Sequence, residues 1–395
     1  MQCMPKLTIF ALHPISYQTP IFRELNILRD HYNNFKLEVV FLDDSSTKPV
    51  YYEHLQSEVT FDDNLCLDNY EHIFLKNYSK KKKGFFSRIN PGIISYLIFK
   101  RPKFVLIHGY ETFSSWIILL LCKLLFIKIS FRGESVIEGE IFNEGIIQKL
   151  KRVILPIFFS LFSVVFYSCT GNKKFFQKYN VSNSKMRFLP CAVDNELILR
   201  RLDNAQLTTN ETSNQLGIDL KNDFVIIFCA RFTERKRPLD LIKAASKINS
   251  ECLKLLFVGD GPCLEDMKSL SQKLGVNSIF TGFVQQKDLA KFFSLSNLFV
   301  VISSKDPSPK TLNEAMVAGL PVIVSDVVGT STDLVSGNGF VVPVGDIELI
   351  ANRIENLMND RLLAKKMGGL SKEIVSHWTI KNDAISILNA FNEYK

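Results

Sequence analysis

Short apolar runs and longer amphipathic segments alternate through the second half of the chain. Asp223–Ala230 (DFVIIFCA) is continuously apolar and β-branched, the pattern of a strand buried on both faces. Pro238–Ile248 follows, with Leu239, Leu241, Ile242 and Ala245 at helical spacing. The pairing recurs. Strand Lys254–Gly259 leads to helix Cys263–Leu274, stopped by Gly275, and the short strand Ser278–Gly282 leads to helix Lys287–Ser294. Strand Asn297–Ser304 leads to a helix that ends at Gly319. Strands Pro321–Asp326 and Phe340–Pro343 come next, and Asp346–Met358 begins the closing helices. Repeated strand–helix units of this length predict a parallel sheet covered on both faces.

The first half alternates less regularly, with strands expected at Leu7–Leu12, Leu37–Leu42, Phe104–His108, Lys128–Phe131 and Val164–Ser168. The hydrophilic stretch Asp203–Gln215 (DNAQLTTNETSNQ) is the best linker candidate. Two domains are therefore expected, 1–200 and 201–375, which suits a chain of 395 residues. Residues 5–12 are too short and lack the charged leader of a secretory signal. Two longer apolar stretches are interrupted, Trp116–Ile129 by Lys123 and Lys128, Val153–Cys169 by Pro156 and serines. Neither reaches the ~20 apolar residues of a spanning helix, so both read as buried helices running into buried strands.

Charge changes this picture. The net charge of +8 lies wholly in the first half: residues 1–200 hold 26 Lys+Arg against 18 Asp+Glu, and residues 201–395 hold 22 against 22. A basic half beside a neutral one points to an anionic surface or partner. Lys80-Lys81-Lys82-Lys83 precedes Phe85 and Phe86, and Lys149–Phe162 (KLKRVILPIFFSLF) again sets cations beside apolar residues. Both suit an anionic membrane surface, which predicts a cytoplasmic protein held peripherally on the inner face of the membrane. No recognised nucleic-acid motif accompanies the basic half, and no nucleic-acid partner is expected. The eight cysteines (Cys3, Cys66, Cys122, Cys169, Cys191, Cys229, Cys252 and Cys263) show no C-x-x-C spacing, so reduced, partly buried thiols and no zinc site are expected.

The chemistry concentrates in two loops. In Lys305–Glu314 (KDPSPKTLNE), Asp306 sits in a loop and Glu314 inside the helix that follows. Ser308 is the expected N-cap and Pro309 suits the first helical position. A helix start offers backbone N–H groups to an anion, and Glu314 lies roughly 7 Å further along the axis. A phosphate there would be flanked by two carboxylates at different depths, which suits a diphosphate with a hydroxyl-rich ring at each end: a nucleotide sugar. The second loop, R-F-T-E-R-K-R-P, runs on from strand Asp223–Ala230 and holds Arg231, Glu234, Arg235, Lys236 and Arg237 before Pro238. Cations ahead of a helix start oppose its dipole, at about 0.3–1 kcal/mol each when exposed, and a bound dianion would explain them. Position relative to the strand favours Arg231 and Lys236 as the ligands, with Arg235 and Arg237 pointing to water.

Together with VGDGP at 258–262, NEAMVAGLPVIVSD at 313–326 and GNGFVVPVGD at 337–346, these loops resemble the C-terminal half of glycosyltransferase family 4. The resemblance covers residues 223–360 and continues more weakly through Tyr167–Asn172 and Phe188–Asp194. It implies an α/β chain of the GT-B fold, two Rossmann-like parallel-sheet domains facing a central crevice, with a C-terminal tail (about 376–395) packed back on the first domain. It implies a retaining, metal-independent transfer from a nucleotide-diphosphate sugar, in surface polysaccharide synthesis, to a glycan or lipid-linked acceptor. Arg231 and Lys236 match the basic pair on the donor diphosphate. Glu314 matches the second acid of the family's E-x7-E element, on the nucleotide ribose, and Asp306 stands where the first Glu usually contacts the donor sugar. Gly259, Ser308, Pro309, Lys310 and Thr311 fall at donor-binding positions. The chain departs from the family in lacking a Gly-rich turn at His13–Pro20, and in carrying Arg132 where many members have His. Arg132, Glu134 and His108 remain candidates for donor or acceptor contact, against an ion pair and a hydrogen-bonded core histidine. No D-x-D element occurs, so no metal or other cofactor is expected. The alternatives are a nucleotide-sugar epimerase of similar architecture and a catalytically inactive nucleotide-sugar-binding scaffold.

Overall fold

A computed structural model describes residues 4–29, 35–48, 50–52, 57–59, 67–81, 83–137 and 146–394; Cys3, Cys66 and Lys82 lie outside the described residues. The chain forms two compact units. The first runs to Cys191 and takes back the chain from Ile380 onward; the second is Ala192–Thr379.

The first unit is built on a parallel sheet of β1 (Lys6–Ala11), β2 (Lys36–Phe41), β5 (His72–Phe74), β6 (Phe104–His108), β7 (Lys128–Arg132), β8 (Val164–Tyr167) and β9 (Met186–Phe188), in the order β5-β2-β1-β6-β7-β8-β9. Two short strands, β3 (Val50–Tyr52) and β4 (Ser57–Val59), pair antiparallel outside it. The central strands are apolar on both sides because helices cover both faces. Leu7, Ile9 and Ala11 of β1 pack with helices Thr19–Arg29 and Ile380–Asn392. Phe10 points the other way, into a core shared with Ile93, Ile118, Phe158 and Phe176. The C-terminal helix is thus part of the first unit, with Ala384, Ile387, Leu388 and Phe391 buried there.

In the second unit β10 (Phe224–Cys229), β11 (Leu253–Val258), β12 (Ser278–Phe280), β13 (Leu298–Val301), β14 (Val322–Ser325) and β15 (Gly339–Val342) form a parallel sheet in the order β12-β11-β10-β13-β14-β15. Helix Leu264–Leu274 stops where expected, at Gly275 with φ +64°.

Three sequence expectations need correcting here. Asp203–Gln215 is no linker: helices Asn195–Gln206 and Thr209–Gln215 occupy it inside the second unit. Ala205 and Ser213 are its buried anchors, too few to show as a periodic pattern. The chain passes between units at Cys191/Ala192 and Thr379/Ile380 instead. The two long apolar stretches do form a helix then a strand, Phe113–Leu124 into β7 and Ile146–Ser160 into β8. They are buried on one side only, for Leu120, Leu124, Val153 and Ile157 are exposed. Among the described residues no helix is long and apolar enough to cross a membrane.

Candidate functional site

A doubly wound sheet binds ligands outside the carboxyl ends of its strands, where the winding direction reverses. In the second unit the chain winds from β10 through β11 to β12, then restarts at β13 on the other side of β10. The reversal lies between β10 and β13. The basic loop leaves the end of β10 and the acidic loop leaves the end of β13, so both open at that point.

The two loops are tied to each other. Ser304 N donates to the carbonyl of Arg235 at 2.8 Å, and Arg235 Nη1 donates to the carbonyl of Lys305 at 2.8 Å. Lys236 Nζ donates to Asp306 Oδ2 in a nearly buried ion pair, its side chains 15% and 9% exposed. Asp306 is held in turn by a parallel bridge to Val328, and Gly329 N donates to its carbonyl at 2.9 Å. Glu314 is buried on helix Lys310–Val317, and Gln286 Nε2 donates to its Oε1 at 3.0 Å. Cys229, at the end of β10, lies within reach of both charges. Burial and then Glu314 push its thiol up while Lys236 opposes them, so it is protonated at neutral pH and no nucleophile.

Arg231 is exposed directly after the strand, and Phe232 beside it is fully buried. Gly259 fixes this turn from the side. Its φ is +137°, and a Cβ there would stand 2.0 Å from the carbonyl oxygen of Ala230. Phe232 N donates to the carbonyl of Asp260 at 2.8 Å, and Cys263 N to that of Phe232 at 3.1 Å. The glycine is therefore a condition for placing Arg231.

Several expectations change at this site. The helix begins at Lys310 with Pro309 as its N-cap, one residue later than expected, and Ser308 does not cap it. Ser308 precedes a proline and is biased away from helical backbone. Among the described residues its hydroxyl is buried with no hydrogen-bond partner, as are those of Ser303 and Thr330. Lys310 and Thr311, half-buried, open the helix. Arg235 and Arg237 do not simply point to water: Arg235 clamps the loops, and Arg237 Nε donates to Asp240 Oδ2 at 2.5 Å. Gln286 was missed. Its one signal was position, in the loop after strand Ser278–Gly282 at the same end of the sheet.

In the first unit the winding reverses between β1 and β6. His108 ends β6 and Arg132 ends β7, side by side in register. Both are buried. Arg132 Nη2 lies 3.8 Å from Cys191 Sγ and 4.0 Å from Asp383, and the Cys191 thiol donates to Glu134 Oε1 at 3.1 Å. The simple Arg132–Glu134 loop pair is thus a larger cluster with Cys191 and Asp383 in it. Burial and the Arg132 charge lower the His108 pKa to about 3, with Glu134 opposing. His108 is neutral at physiological pH. Unfolded, it would titrate near 6.5. The stability linked to this residue is complete above that pH and is lost as pH falls toward about 3. Its share of the loss between pH 6.5 and 5 is about 2 kcal/mol. Denaturant melts of wild type and His108→Gln across that range should show the variant with the shallower slope; parallel slopes would contradict a neutral buried imidazole.

Comparison with known proteins places a family match over the segment that holds these loops. Residues 209–373 match the family model of group 1 glycosyl transferases. This segment belongs to the group 1 glycosyltransferases. It contains Arg231, Lys236, Asp306 and Glu314. Among similar proteins is the N-acetyl-alpha-D-glucosaminyl L-malate synthase of Bacillus anthracis, 30% identical over 167 residues, 42% of this chain and 44% of that one. Another is the UDP-Gal:alpha-D-GlcNAc-diphosphoundecaprenol alpha-1,3-galactosyltransferase of Escherichia coli, 26% identical over 209 residues, 51% of this chain and 52% of that one. The chain matches about half the length of these curated relatives. The likeness to solved structures is one of fold. Anabaena Alr3699/HepE, solved with UDP, superposes with a TM-score of 0.74 at 16% identity over 99% of this chain and 100% of that one. The two parallel-sheet units have the GT-B fold.

Proposed function

We propose that this protein is a retaining glycosyltransferase of family 4, moving a sugar from a nucleotide-diphosphate donor to a glycan or lipid-linked oligosaccharide in surface polysaccharide synthesis. The observation that carries the reading is the Lys236–Asp306 ion pair at the winding reversal of the second unit, just ahead of helix Lys310–Val317, which carries the buried Glu314. The solved relative binds UDP at a fold of this kind, and the Escherichia coli relative acts on a diphosphoundecaprenol-linked sugar.

Lys236 and Arg231 face the donor diphosphate in this reading, with the amides at the helix start adding partial positive charge. Glu314, oriented by Gln286, takes the ribose hydroxyls, and Asp306 takes the donor sugar. The bond from the anomeric carbon to the diphosphate breaks while the acceptor oxygen bonds on the same face. The departing diphosphate oxygen receives the acceptor proton. The protein's contribution is electrostatic: fixed cations stabilise charge as it develops on the leaving group. Arg132, Glu134 and His108 are the first unit's candidates for donor or acceptor contact. No divalent ion is required, and nucleic acid is not a partner.

The basic and apolar segments of the first unit sit, in this reading, on the anionic inner surface of the cytoplasmic membrane. Phe85 and Phe86 are 42% and 48% exposed beside Lys81, and Leu150, Val153 and Ile157 form an exposed stripe on helix Ile146–Ser160. Proton NMR of the transferred product decides the stereochemistry, with a membrane-lipid extract as acceptor and chelator present. The expected product keeps the anomeric configuration of the donor. Inversion, or activity lost in chelator and restored by manganese, would refute the mechanism.

A further inference from the structure

The amino ends of β1, β2, β6 and β7, at the opposite end of the sheet from His108 and Arg132, open into a cavity of about 1050 Å³. Six cations line it: Lys6, Lys36, Lys100, Arg101, Lys103 and Lys128. Its carboxylates are Glu38 and Glu71, and Glu38 is taken up by Lys6 at 2.5 Å and by the Tyr96 hydroxyl. Five cations therefore face one carboxylate. The simpler account is that they offset the C-termini of helices Gly92–Lys100, Phe113–Leu124 and Ile380–Asn392, which end nearby. Each helix end carries only about half a negative charge, so the three together balance about one to two of the cations.

The rim is apolar and strained. Phe99 is 84% exposed and Phe126 93%, and both line the cavity. Ile94 and Ile98 continue the apolar face along the helix of Phe99, and Leu120 and Leu124 do so on the helix packed against it. Contiguous exposed apolar surface of this kind marks an interaction site. Arg101 and Phe126 have φ of +38° and +56°, in the left-handed region where a chain normally uses glycine after a helix. The sequence holds a cation and a ring there against local preference. A solvated loop would give no reason for either.

We propose that this cavity binds the phosphate headgroup of an anionic phospholipid, with Phe99 and Phe126 entering the acyl layer. Charge complementarity selects the phosphate and the exposed rings select a lipid over a soluble anion. The inference rests on the membrane reading above and adds a specific headgroup site to it, away from the donor site.

The test is flotation of the full chain with phosphatidylcholine vesicles, with and without phosphatidylglycerol. Two variants are compared with wild type: Lys100→Ala/Lys103→Ala/Lys128→Ala, and Phe126→Gly. Wild type should prefer the anionic vesicles. The triple variant should lose about fivefold per lysine, about a hundredfold in all. Phe126→Gly should lose about tenfold, with an unchanged or raised melting temperature because glycine relieves the backbone. Wild type bound to anionic vesicles and both variants bound equally well would overturn the headgroup site and leave the membrane reading standing. Wild type bound to neither vesicle would remove both. Soluble glycerol phosphate binding at the cavity without any vesicle binding would overturn the lipid assignment.

Discussion

Lys236→Ala should lower the rate of sugar transfer by several hundred-fold. A fixed donor aimed at developing negative charge typically contributes about 3–4 kcal/mol to the transition state. In the proposed reading its neighbours hold Lys236 for that task. Asp306 grips its ammonium, and Arg235 locks the two loops through Ser304 and Lys305. The variant also leaves Asp306 nearly buried without its partner, which lowers stability, and a rate measurement alone would mix the two effects. Lys236→Ala/Asp306→Asn separates them. Removing both charges should restore most of the melting temperature and none of the rate. Recovery of rate with stability would make the pair purely structural.

Gly259→Ala should unfold or displace the second unit's site. The new methyl group would meet a backbone carbonyl at 2.0 Å, and φ of +137° is closed to other residues. Neither obstacle is a flexible side chain. Overpacking and backbone strain each cost about 1–3 kcal/mol, together about 4 kcal/mol, or roughly 10 °C in melting temperature for a unit of this size. Gly275→Ala is the control. Gly275 also has positive φ, +64°, but a Cβ there meets nothing within 4 Å. It should cost only the left-handed backbone term, about 1–2 kcal/mol. Equal losses at the two positions would contradict the close approach of Ala230.

The second unit was largely legible in the sequence because four of its six strands are buried on both faces. Phe224–Cys229 and Leu298–Val301 show as unbroken apolar runs, and Leu253–Val258 is interrupted only by Lys254. The edge strands His72–Phe74 and Met186–Phe188 escaped, being three residues each, half-exposed and too short for any period. Residues 203–215 escaped for the opposite reason: they are helical while almost entirely polar. At the site, charge and spacing marked Lys236 and Asp306, which form an ion pair, and Glu314, which is buried on the helix that follows. Arg235 was misread because its partner is a backbone carbonyl 70 residues away, which side-chain chemistry does not reveal. Ser308 was misread because capping was judged on residue type, where the following Pro309 decides the backbone.

The central claim is that the loops after β10 and β13 bind and activate a nucleotide-diphosphate sugar. Release of nucleoside diphosphate from a panel of nucleotide sugars tests it, with and without a membrane-lipid extract, in wild type, Lys236→Ala and Glu314→Ala. Release from at least one donor by wild type, abolished in both variants, is the predicted result. Release that survives in both variants, or no release from any donor with the extract present, would contradict it.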